Sequence, residues 1–250
     1  MIDIQHVFKN YGPEKRANDD ISLQIYPGEI FGLIGPNGSG KSTLFKQMTG
    51  VLSPDYGDII LNGKSITKEP LEAKKTFAFV SDTPDNFLRL KGIEYLNFIC
   101  NIYGIAKDER KVRIDILAKE FNMLDDLGKE INSYSHGMRQ KMMVMGALVI
   151  NPDIWILDEP MVGLDPRSAF ILKNRMRKHA DGGNIVVFST HVLEVAEQIV
   201  DRLAIINKGK IIFTGTLDQL REAHQSSGTL EQIFLELTDP ELTNPLSQNS

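Results

Sequence analysis

The chain has 250 residues, a formal net charge of −5, 42% apolar residues and 24% charged residues. That is enough to bury a sizeable core with a subdomain, and the balance shows no basic excess of the kind a nucleic-acid binder carries. The single cysteine, Cys100, excludes a disulfide framework within one chain and fits a reducing compartment.

Met1–His6 lacks the basic and apolar regions of a signal peptide. Ile2–Phe8 and Ile21–Ile25 alternate apolar and polar residues, as half-exposed strands do. Pro27 and Gly28 mark a turn, and Ile30–Ile34 is a continuous apolar run expected of a buried parallel strand. A glycine-rich loop follows, then a helix from Lys41 to Thr49. Ile59–Gly63 reads as a strand entering a turn, and Phe77–Val80 as another buried strand. From Gly92 to Ile150 the pattern turns helical. Ile93, Leu96 and Ile99 share one face, Val112, Ile116 and Leu117 another, and Cys100 reads as a core thiol. Ile154–Leu157 and Ile185–Phe188 are buried strands. Leu203–Ile206 and Lys210–Phe213 flank the hairpin turn Asn207-Lys208-Gly209. Leu230–Leu237 has the spacing of a short amphipathic helix, and the polar tail Asp239–Ser250 is expected to be disordered.

The longest apolar run, Met142–Ile150, is about half a membrane span. The chain therefore reads as soluble alone, reaching a membrane only through a partner. No internal repeat is present, and there is one phosphate loop. Strands alternating with helices argue for a mainly parallel sheet, whose ligands bind at the carboxyl ends of its strands. The glycine loop lies at such an end.

Gly35-Pro36-Asn37-Gly38-Ser39-Gly40-Lys41-Ser42 fits G-x-x-x-x-G-K-[ST], and Thr43 continues into the helix. Glycines let the backbone curl so that N–H groups converge on phosphate oxygens, and the helix N-terminus favours the same anion. Lys41 adds a point charge for the terminal phosphates, and the Ser42 hydroxyl suits Mg²⁺. The strand before and helix after are the context that a chance glycine-rich turn lacks. Asp158 and Glu159 end the strand Ile154–Leu157. Asp158 could hold Mg²⁺ directly or through water, and Glu159 could orient or deprotonate an attacking water. An acid-rich exposed turn is the plainer reading, but it weakens once a phosphate loop shares the sheet. His191 follows the strand Ile185–Phe188, where it would face the same crevice; His6, His179 and His224 have no such context.

These pieces resemble the nucleotide-binding domains of ATP-binding-cassette (ABC) proteins from Met1 to about Glu236. The most specific element is Tyr134-Ser135-His136-Gly137-Met138-Arg139-Gln140. It resembles the family signature, usually Leu-Ser-Gly-Gly-Gln, shortly before the acidic strand. Gly163-Leu164-Asp165 matches the loop after that strand, and His191 the switch histidine. The resemblance implies an α/β fold: a P-loop NTPase core with a mainly parallel sheet, an N-terminal antiparallel β region and an inserted helical subdomain. The implied division is 1–82 and 151–215 for the ATP-binding core, 83–150 for the helical signature subdomain and 216–238 for C-terminal helices.

It also implies a mechanism in which two cassettes pair head to tail with ATP between them. Tyr11 would stack on adenine, and Ser135 and Gly137 would bind the γ-phosphate across the interface. Glu159 would be the general base, His191 would hold γ-phosphate and water, and Asp165 would signal between sites. Asp82 stands where the family usually has glutamine, and its shorter side chain disfavours direct Mg²⁺ contact, leaving action through water or weak coupling. His136 replaces the first signature glycine and Met138 the glutamine; a side chain at 136 pointing away leaves the backbone donors intact.

The implied role is the ATPase subunit of a transporter, peripheral on the cytoplasmic face of the cell membrane. It would drive a separate permease and pair with an identical or related cassette. Ser81–Ile93 and the helical subdomain would receive the permease's coupling helix. The signature and the Phe234–Leu237 ending resemble exporter-type cassettes, the Ecs-like group of Gram-positive bacteria in particular. An alternative is a soluble cassette ATPase acting on ribosomes or DNA, but tandem cassettes, a long coiled coil and a basic excess are missing. A kinase-like transferase is opposed by the signature and switch histidine.

Overall fold

The structure is a computed structural model describing residues 1–12, 16–83, 87–224 and 229–239. Asp239 closes the last helix, and the rest of the tail expected to be disordered lies outside the described residues.

Two sheets form the frame. The first holds β1 (Ile2–Asn10), β2 (Arg16–Ile25), β4 (Tyr56–Leu61) and β5 (Lys64–Ser65), all antiparallel in the order β2-β1-β4-β5. The second holds β3 (Ile30–Ile34), β6 (Phe77–Val80), β7 (Ile154–Leu157), β8 (Ile185–Thr190), β9 (Arg202–Asn207) and β10 (Lys210–Gly215). Its order is β10-β9-β3-β8-β7-β6, and only the β9–β10 hairpin is antiparallel. Successive side chains of a strand point to opposite faces. Phe31, Leu33, Ile154, Ile156, Ile185 and Val187 accordingly pack with the first sheet and helix α1 (Lys41–Met48). Ile30, Ile34, Trp155, Leu157, Val186 and Phe188 face the other way, onto the helical region.

Helix α2 (Pro70–Lys74) precedes β6, and α3 (Gly92–Ile102), α4 (Lys107–Glu120) and α5 (His136–Ile150) follow it. Their buried residues, among them Leu96, Leu117 and Met142, belong to the same apolar cluster as one face of the six-stranded sheet. The helical segment thus shares its core with the sheet. Cys100 is fully buried there, and burial pushes its thiol up. Helix α4 presents a different face from the one its sequence suggests. Ile114, Leu117 and Ala118 are buried, whereas Val112 and Ile116 are 60% and 45% exposed. At about 100° per residue, Leu117 lies a quarter-turn beyond Ile116, so tertiary packing was free to choose a face that excludes the other two.

The remaining helices are α6 (Pro166–Asp181), α7 (Leu193–Ile199), α8 (Leu217–Ala223) and α9 (Leu230–Thr238). Asp165 caps α6 by accepting from Ser168 N–H, and Pro166 at its first position needs no amide partner. Thr216 with Gln219, and Thr229 with Gln232, form capping boxes for α8 and α9.

Candidate active site

The glycine loop leaves β3 at the carboxyl edge of the parallel sheet and ends at the start of α1. Gly40 caps that helix with φ 114°, and a Cβ there would meet the Ala17 carbonyl oxygen at 2.3 Å, so glycine is required. The loop is held from both sides. Asn18 Nδ2 donates to the Gly40 carbonyl (3.2 Å), and Gly209 N–H to the Ser39 carbonyl (2.9 Å). Lys41 is buried, and its Nζ donates to the carbonyls of Gly35 (2.7 Å) and Pro36 (3.2 Å). Burial pulls the Lys41 ammonium down, opposed by the nearby Glu159 and Asp158 charges.

A cavity of about 500 Å³ opens above this loop, within the size range of small-ligand sites. It brings together Tyr11, Asn37, Gly38, Gly40, Lys41, Ser42, Thr43, Asp82, Glu159 and His191. Tyr11 is half-exposed at its rim. The first-turn amides of α1, unsatisfied within the helix itself, suit an anion here.

Asp158 lies beneath the cavity and is 1% exposed. Its Oδ1 accepts from Ser189 Oγ (2.5 Å), the Ser42 hydroxyl lies near enough to favour the ionised carboxylate, and Oδ2 has no partner. Burial raises the carboxyl, the two hydroxyls lower it, and the charges of Asp82 and Glu159 raise it further. An orphaned, buried carboxylate oxygen beside a serine hydroxyl fits Mg²⁺, which takes oxygen donors and keeps several waters. Asp82 is exposed and accepts from Ser81 Oγ (3.1 Å), close enough for its charge to act on Asp158.

Glu159 has φ 49°, an uncommon conformation for a non-glycine residue and one found at strained functional positions. Its N–H donates to Ser189 Oγ (2.9 Å), and its Oε2 lies 3.0 Å from His191 Nδ1. Ser189 therefore ties Asp158 to Glu159, a connection that sequence reading missed. The signal lay in the pairing: β7 and β8 run parallel with Leu157 opposite Phe188, so Asp158, just past β7, meets Ser189, the next residue of β8.

Ser135, Gly137 and Asp165 do not line this cavity. They form a second group. Ser135 caps α5 by accepting from Met138 N–H (3.3 Å), which leaves its hydroxyl proton to donate elsewhere. Asp165 Oδ2 pairs with Lys141 Nζ at 2.6 Å. That ammonium, then the Ser168 N–H, holds the Asp165 carboxyl far below the usual carboxylate range.

The family model described as "ABC transporter" matches residues 18–162. The ABC-type transporter ATP-binding protein EcsA of Bacillus subtilis (strain 168) is 37% identical over 220 residues, covering 88% of this chain and 89% of that protein. The ABC transporter ATP-binding protein NatA of the same strain is 31% identical over 236 residues, covering 94% and 96%. A solved structure described as the ATP binding subunit of an ABC transporter superposes with a TM-score of 0.90 at 31% identity, covering 95% of this chain and 99% of that one. The chain belongs to the ABC transporter family, among cassettes of the exporter-like type, and is an ATP-binding, ATP-hydrolysing subunit of such a transporter. The ribosome- or DNA-directed alternative finds no support among these relatives.

Proposed function

We propose that this cassette powers a separate membrane-spanning permease by pairing head to tail with a second cassette, identical or related, around ATP. The observation that carries the reading is the division of the predicted site residues into two groups. The cavity over Gly35–Thr43 contains the phosphate loop, Glu159 and His191, while Ser135 and Gly137 stand outside it. A second chain would supply the missing donors.

In this reading Tyr11 stacks on adenine, and Lys41 with the amides of Gly38–Thr43 holds the phosphates. Ser42 and Asp158 would hold Mg²⁺, with Asp82 reaching it through water; the ion would neutralise charge on the phosphate oxygens. Glu159 accepts the proton of the attacking water, and its contact with His191 aims the carboxylate. His191 also holds the γ-phosphate and that water. Ser135 Oγ and the Gly137 N–H of the other cassette bind the γ-phosphate at the positive end of α5. Asp165 signals between the two sites. Hydrolysis removes the bridging phosphate and separates the pair.

Among the described residues no helix is long and apolar enough to cross a membrane. We place the chain at the cytoplasmic face, held there by its permease, with export the direction favoured by its exporter-type likeness. Ser81–Ile93, of which residues 84–86 lie outside the described residues, and the helical segment would receive the permease's coupling helix. Glu159→Gln should bind ATP with magnesium and elute from size-exclusion chromatography as a dimer, and a pull-down should recover a polytopic membrane protein. A monomer under saturating ATP would overturn the sandwich.

A further inference from the structure

The signature turn and the loop after the acidic strand interlock within one chain. The loop Met161–Asp165 lies across the first turn of α5. A Cβ on Gly137 would meet the Gly163 carbonyl oxygen at 2.6 Å, so only a glycine admits that close approach. The fit is reciprocal. Gly163 has φ +80°, and a Cβ there would meet His136 Nδ1 at 2.6 Å and Cε1 at 2.9 Å. The His136 imidazole therefore fills the space that a side chain at 163 would take. Two polar ties run alongside. Lys141 Nζ pairs with Asp165 Oδ2 at 2.6 Å, and Gln140 Nε2 donates to the Pro160 carbonyl at 3.3 Å.

These contacts are unequal. Asp165 is nearly half exposed, so its ion pair is screened by solvent. The Gln140 bond holds the loop at Pro160, ahead of the glycine. Gly163 has the widest backbone freedom in the segment, and the ring of His136 is what bears on it. Glycine at 136, as in the resembled signature, would leave that side of Gly163 open.

We propose that His136 is a positioning residue that locks the loop Met161–Asp165 to the signature turn. Ser135 and Asp165 then meet the other cassette as one rigid surface. The lock is a property of the single chain; its use rests on the sandwich reading above. It explains how a bulky residue sits in the signature without blocking it: the ring is turned onto the chain's own loop.

The test compares His136→Ala, which keeps α5 helical, and His136→Phe, which keeps a flat ring, in the full chain. Hydrogen exchange of the nucleotide-free protein reads the lock. His136→Ala should speed exchange across residues 161–165 about fivefold or more, His136→Phe should restore protection, and Gly35–Thr43 should not change. In the Glu159→Gln background, His136→Ala should raise the ATP concentration for half-maximal pairing about fivefold while nucleotide affinity measured on dilute monomer stays constant. Unchanged exchange at 161–165 overturns the lock. Faster exchange with an unmoved pairing midpoint, where Glu159→Gln does pair, overturns the positioning role and spares the sandwich. Failure of Glu159→Gln itself to pair overturns the sandwich and, with it, the use assigned to the lock.

Discussion

Around Gly35–Thr43 the polar groups are bonded to one another, with Lys41, Asp158 and Ser189 buried: Lys41 to its own loop, Ser189 to Asp158, Glu159 to Ser189 and His191. Around Ser135–Gln140 the turn is exposed at Ser135 and His136, and its contacts run back to the loop of the same chain. The first region is built to hold a ligand alone. In the proposed sandwich the second is a surface that acts only when another cassette is brought to it. Substitutions in the two regions should therefore separate binding from pairing.

The largest effect is expected at Glu159. Glu159→Gln should lower steady-state ATP hydrolysis about 10²- to 10⁴-fold, the contribution of a positioned general base, with nucleotide affinity retained. Next comes Lys41→Ala, which removes a charge-assisted bond to phosphate and should weaken ATP binding to the monomer about 10- to 100-fold by fluorescence titration. Ser135→Ala should leave that affinity alone and lower turnover about tenfold through weaker pairing. Equal losses of monomer affinity at Lys41 and Ser135 would erase the distinction between the regions.

A change outside both regions should leave activity near neutral pH unmoved. His179 stacks on Trp155, with ring centroids 3.9 Å apart, and burial drives its imidazole down to about 4. The unfolded chain takes up a proton near pH 6.5 that the folded chain refuses, so stability is full above that value. It should fall as the pH drops towards 4, by up to about 3 kcal/mol, and level off below. His179→Phe keeps a ring in the stack and should flatten that slope in urea melts at pH 7 and 4.5.

Much of the buried half was legible because its chemistry is contiguous. The loop Gly35–Ser42 and the strand Ile154–Leu157 ending in Asp158 and Glu159 each need only neighbouring residues, and their apolar runs announce buried strands. Ser189 was not legible in its role, because a hydroxyl acquires two carboxylate-bearing neighbours only when β8 docks beside β7. Helix α4 shows the same limit in packing. Val112, Ile116 and Leu117 are all apolar, and nothing along the chain says which of them will find a neighbour.

What the sequence determined by itself was everything carried by local order: the phosphate loop, the acidic strand end, the signature turn, and the alternation that sorts each strand into two faces. Composition gave no sign of a nucleic-acid binder and excluded a disulfide scaffold within the chain before any element was placed. Tertiary structure alone decided which residues share a site. It buried Asp158 with one oxygen unpartnered, set Glu159 against His191, and turned His136 onto Gly163. The reason is physical. Backbone periodicity and turn chemistry act over a few residues, whereas burial, charge proximity and close backbone approach arise only when segments far apart in the chain are packed together.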